Sequence, residues 1–151
     1  MEPVFRSLVF ADMPEPDYAD MSIVAIPAGA PTDPDLWART VFSAGSMPWW
    51  VQFAFTLREL LAPLIGVPRG SREVFDVRAV CGEEALLSVD DRHLDCRVGV
   101  GVDPRARHVR VVTAVRIKGW RGRVYFWPVR LAHPLIVDAM LRRARRRLTA
   151  A

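Results

Sequence analysis

Cysteine, lysine and histidine are all scarce in this 151-residue chain, and each shortage narrows what it can be. The two cysteines, Cys81 and Cys96, lack CxxC or histidine-rich spacing, so neither a disulfide framework nor a zinc site is expected. Both fall on apolar strand positions and read as buried reduced thiols, which suits a cytoplasmic protein. The three histidines, His93, His108 and His133, sit in separate segments, and no metal is predicted. No Walker loop, Rossmann glycine pattern or nucleophile elbow occurs, so no cofactor is expected and no catalytic residue is assigned. Long apolar runs are missing too. The longest uncharged stretch, Val41 to Leu57, is broken by Gly45, Ser46, Pro48 and Gln52 and falls short of the roughly 20 residues of a membrane span. Met1 to Pro14 lacks the basic start and apolar run of a signal peptide.

What is present is half hydrophobic and one quarter charged, the composition of one globular domain able to bury its own core. Charge is uneven: residues 1–75 carry nine acids against five arginines, whereas residues 76–151 carry eight acids against sixteen bases. Lys118 is the only lysine. The run Arg142 to Arg147 closes a predicted helix, where cations meet the macrodipole favourably. It is short and has no interleaved aromatics, so it reads as a solvated basic tail over 142–151 and no nucleic-acid partner is expected.

The strongest pattern runs from Glu73 to Lys118. Phe75, Val77, Ala79 and Cys81 alternate with Val74, Asp76, Arg78 and Val80, then Ala85, Leu87 and Val89 follow across a Cys-Gly-Glu-Glu turn. Leu94 to Val102 and Val109 to Ile117 repeat the alternation, predicting antiparallel strands with one apolar face and one solvated face. Upstream, residues 1–19 read as an irregular lead-in, and Asp20 to Pro27 as a strand with Ile23 and Ala25 inward. Thr32 or Asp33 caps a helix with Pro34 in its first turn, which runs through Val41. A second helix starts near Pro48, where Trp50, Phe53, Leu57, Leu60, Leu61 and Leu64 recur at helical spacing. Downstream, Gly119 to Gly122 reads as a turn and Arg123 to Trp127 as extended or broken helix. A final helix then begins at Pro134, with the stripe Val137, Leu141, Ala144 and Leu148.

This order of elements resembles the helix-grip α+β fold of the START/SRPBCC superfamily. Five local strings resemble family 2867 of domains of unknown function: Asp17-Tyr18-Ala19-Asp20, Pro48-Trp49 with Leu57-Arg58-Glu59, Asp91 to Arg97, Gly122-Arg123-Val124-Tyr125, and His133 with Leu135-Ile136-Val137. The resemblance implies an antiparallel curved sheet wrapped on a C-terminal helix, with a hydrophobic cavity between them, over residues 1–151. It implies no particular activity.

His93, Asp95 and Arg97 share one strand face and could orient a polar ligand group. Alternation favours the solvated face for them, whereas the resemblance favours the cavity. Arg58 either anchors an anion in the cavity or snorkels to the surface. Trp49, Trp50, Tyr125 and Trp127 fall where a cavity mouth would lie and suit a flat or lipophilic ligand, although core packing accounts for them as simply. The expected function is binding of a small hydrophobic molecule. The alternatives are a cavity enzyme (a cyclase, dehydratase or isomerase acting on a lipophilic metabolite) and an interaction module with a filled cavity. A homodimer stays open.

Overall fold

The computed structural model of the protein describes residues 6–65 and 77–150. A short helix, α1 (Leu8–Asp12), opens it, capped by Ser7, whose Oγ accepts from the Val9 N–H. Strand β1 (Tyr18–Ala25), helix α2 (Pro34–Val41) and helix α3 (Trp49–Leu61) follow. Then come β2 (Val77–Cys81), β3 (Glu84–Asp90), β4 (Leu94–Asp103), β5 (His108–Ile117) and helix α4 (Gly119–Thr149). The start of the first strand pattern, Glu73 to Asp76, and the predicted stop at Gly66 and Pro68 lie outside the described residues.

All five strands make one antiparallel sheet in the order β1-β5-β4-β3-β2. The last four form a meander with tight turns. Gly82 supplies the positive φ of 60° between β2 and β3. Between β4 and β5 the Asp103 carboxylate accepts from the Ala106 and Arg105 N–H groups at 2.8 and 3.0 Å, and these bonds hold it below the usual carboxylate range.

One sheet face carries the main core. Val24, Leu87, Val98, Val100, Val109 and Val111 pack against Trp37, Ala38 and Val41 of α2 and Val137, Met140, Leu141 and Ala144 of α4. Asp33 caps α2 through the Asp35 N–H, and Pro34 occupies its first turn as predicted. Trp37 is fully buried and donates its indole N–H to the Pro31 carbonyl at 2.8 Å.

Four expectations are corrected. First, β1 lies one residue out of the expected phase: Ser22, Val24 and Ile26 point inward, while Ile23 is half exposed and Ala25 exposed. Its pairing with β5 sets this, since Val24 stands opposite buried Val109. Second, the lead-in is not wholly irregular. Helix α1 covers the other sheet face, where Val9 and Met13 bury against Val112 and Ala114, so the sheet is covered on both sides.

Third, α4 starts at Gly119 and runs through Pro128 and Pro134. Each proline removes the hydrogen bond to the carbonyl four residues upstream. Both prolines are exposed, so water reaches the carbonyls they free, while burial of Gly122 and Phe126 holds this half of the helix on the sheet. Fourth, the basic tail, helical to Thr149 as expected, is partly docked rather than wholly solvated. Arg143 donates to the Met47 carbonyl at 3.1 Å, and Arg147 donates to Ser43 Oγ at 2.7 Å.

The two thiols also differ. Cys96 packs against the core and burial pushes it up to about 12, whereas Cys81, expected to be buried, is exposed at the end of the edge strand β2, a further correction to the sequence reading. With a disulfide reagent at mildly alkaline pH, Cys81 should therefore react in the native protein and Cys96 only after unfolding. Equal native rates, read by mass spectrometry of labelled peptides, would contradict this placement.

Candidate functional site

Gly122 sets how closely α4 approaches the sheet. A Cβ there would collide with the His93 carbonyl oxygen and press on Ile117 Cγ2, so only glycine lets the helix backbone lie this near. Phe126 and His133 follow at one and three helical turns on the same face. They arrive over β1.

Tyr18 and Asp20 are two residues apart on β1 and so point to the same side, toward α4. The Tyr18 hydroxyl donates to Asp20 Oδ2 at 2.5 Å, and His133 Nδ1 lies 2.7 Å from that same oxygen. A carboxylate oxygen accepts, so Nδ1 carries the proton and Nε2 is left to accept or donate elsewhere. The rings of Phe126 and His133 stand edge-on to Tyr18, with centroids 5.1 and 6.2 Å away. The Asp20 side chain is 13% exposed and that of His133 22%, so the cluster is largely shielded from water. Burial raises the Tyr18 hydroxyl well above its ordinary value, and the bond to Asp20 and its charge add to this, with Arg130 opposing.

Two buried oxygens here have no hydrogen-bond partner among the described residues: Asp20 Oδ1 and Thr113 Oγ1. Asp20 and Thr113 are direct partners across β1 and β5, on the sheet face that α4 covers. Val98 and Leu87 continue that row across the sheet, and Cys96 continues the neighbouring row through Val115. The result is a polar corner, Tyr18, Asp20, Thr113 and His133, set in an apolar surround. Leaving a buried oxygen unpaired costs about 1–3 kcal/mol, and here two such oxygens belong to residues paired across β1 and β5.

The residues singled out in the sequence lie elsewhere. Cys96 and Val98 face the main core, so Asp95 and Arg97 point to the opposite, α1 side of β4. Arg97 pairs with Asp12 of α1 and with Asp90 at 2.6 Å. The Arg97 guanidinium holds Asp90 below the usual carboxylate range, and its own proton is held more tightly in return. Asp90 therefore adds stability above that range and loses it as pH falls through its lowered value. Its side chain is 61% exposed, which limits this to well under about 1 kcal/mol. Asp95 pairs with Lys118 at 2.8 Å.

His93 is buried beside a shallow surface depression of about 330 Å³, lined also by Arg92, Lys118 and Trp120. Tyr125 is half-buried, whereas Trp49, Trp50 and Trp127 are exposed. The Arg58 side chain lies outside the described ones. Nothing in the sequence pattern singles out Tyr18 and Asp20 as site residues. The available signal was that their string and His133 belong to one family pattern, although 113 residues separate Asp20 from His133.

A five-stranded antiparallel sheet, with two helices after its first strand and a long C-terminal helix across one face, is the helix-grip arrangement of α+β domains. The chain belongs to the protein family of unknown function DUF2867, which it matches over residues 13–140. That span takes in Tyr18, Asp20, Thr113 and His133 and leaves out α1 and the arginine-rich end. No curated protein and no solved structure matches the chain.

Proposed function

We propose that the domain binds a small, mainly apolar molecule between the sheet and α4, and that Asp20, Thr113 and His133 address one polar group on it. The observation that carries this reading is the pair of buried, unpartnered oxygens on two residues that stand opposite in the β1–β5 register, Asp20 and Thr113. A hydroxyl or amine on the ligand would satisfy both, and the surrounding Val98, Phe126 and Cys96 suit an apolar body. The geometry of His133 favours a second reading, an enzyme that moves a proton on a lipophilic substrate. Asp20 fixes the Nδ1 tautomer, which is what a general base acting through Nε2 requires.

Thr113→Val separates site from scaffold. The change deletes an unpaired buried hydroxyl at nearly constant shape, so the ligand-free protein should be as stable as the parent or up to about 1 kcal/mol more stable. Retention of a co-purified small molecule, read by native mass spectrometry, should fall in the variant. Ligand-free wild-type protein, or ligand retained equally by Thr113→Val, would sink the proposal.

A further inference from the structure

Along α4 the outward face changes character. Past Asp138 it carries Arg142, Arg145 and Arg146, as expected of a helix lying on a sheet. Before that it is apolar: Trp120, Val124, Trp127, Leu131 and Leu135 recur every three or four residues and are 53–69% exposed. These five positions fall within one quadrant of the helix, turned away from the face that buries Gly122 and Phe126. Their combined surface is that of a patch, where scattered exposed residues would need no explanation.

Charge indicates what covers it. Between Asp103 and Asp138 the chain has no acid and carries seven arginines and Lys118. Arg121 flanks the stripe on one side, Arg123 and Arg130 on the other, and all three are exposed. The Arg121 guanidinium lies 5.4 Å from the Trp120 ring centre, and Arg92 joins them around the depression at the start of the helix. In a two-fold contact between copies, this stripe would press arginines against arginines with no acid on this half of the helix to answer them. Anionic lipid supplies the missing charge, and its interfacial zone is where tryptophan rings settle.

We infer that the first half of α4 is a docking face for an anionic bilayer surface. The Trp120–Leu135 stripe enters the headgroup boundary, and Arg121, Arg123 and Arg130 contact lipid phosphates. The helix lies in the plane of the interface. It does not cross the membrane, and no helix among the described residues is long and apolar enough to do so. This inference does not rest on the ligand reading: of these side chains only Arg130 acts on the polar corner, through its charge on Tyr18.

Co-sedimentation with phosphatidylcholine vesicles, with and without phosphatidylserine, tests it on the full chain. The protein should bind the anionic vesicles, with a blue shift of tryptophan emission, and release in high salt. A Trp120→Ser/Trp127→Ser variant, and separately an Arg121→Gln/Arg123→Gln/Arg130→Gln variant, should each weaken binding by about tenfold or more. The substituted side chains are exposed, so thermal melting should be unchanged. Leu131→Ser serves in place of any variant that melts early. Failure of the wild-type protein to bind would overturn the inference, as would binding indifferent to these changes. A dimer in sedimentation velocity that the stripe variants dissociate, without vesicle binding, would assign the face to a second copy instead.

Discussion

Leu141→Ala should destabilise the protein by about 2–5 kcal/mol, the range for truncating a leucine in a packed core. Leu141 is completely buried where α4 crosses the sheet, in the same cluster as Trp37, Val100 and Val111. Four elements meet there, α2, α4, β4 and β5, and none can close the gap left by the missing atoms without moving its backbone. The adjacent Arg142→Ala is the control. Arg142 is exposed, and its pair with Asp138 at 2.8 Å is a solvated i,i+4 contact worth about 0.3–0.5 kcal/mol. Urea denaturation should show a large shift of midpoint for the first variant and almost none for the second. Similar small effects for both would mean that α4 does not pack on the sheet through this face.

The strands between Val77 and Ile117 were legible because period-two alternation is unambiguous where one face is Val-rich and the other carries Arg, Asp and Gly. In β1 the same rule has too little to work on. Met21, Ile23, Val24 and Ile26 put apolar residues on both faces, and only the pairing with β5 selects between them. Pro128 and Pro134 concealed the first half of α4, because local propensity opposes a helix that sheet packing sustains. The polar corner is a third kind of case. Tyr18 and Asp20 sit two apart, as many surface pairs do. Nothing local marks them as half of a site whose other half, His133, is brought over by α4, three turns beyond the glycine that seats it. Arg97 shows the converse: alternation places it on one face of β4, but its acids come from α1 and β3, far apart in sequence, so the tie it makes between α1 and the sheet is not legible locally.

Asp20→Ala should cost more than either of its partners' truncations, by an asymmetry that belongs to hydrogen bonding. Asp20 Oδ2 is the single acceptor for both the Tyr18 hydroxyl and His133 Nδ1. Removing it orphans two partly buried donors, each at about 1–3 kcal/mol, for a total of about 2–4 kcal/mol after some rescue by water. Tyr18→Phe removes one donor along with its bond and leaves the other bond in place, so about 1 kcal/mol is expected. Titration supplies an independent readout in the isosteric Asp20→Asn. Tyr18 ionises well above its ordinary value because of burial first, then the bond to Asp20 and its charge. A raised value means that the contribution of Tyr18 to stability is intact below the unfolded tyrosine range and is lost as pH rises through the folded value. Asp20→Asn takes away the carboxylate charge and the strength it lends the bond but not burial, so Tyr18 should ionise at lower pH while staying above an ordinary tyrosine. The alkaline loss of stability, which still starts in the unfolded tyrosine range, should be smaller and complete at a lower pH. With only two tyrosines in the chain, tyrosinate absorbance can follow this directly. An unchanged titration in Asp20→Asn, together with a cost for Asp20→Ala no larger than that of Tyr18→Phe, would show that the two donors find other acceptors and that the corner is not organised around Asp20.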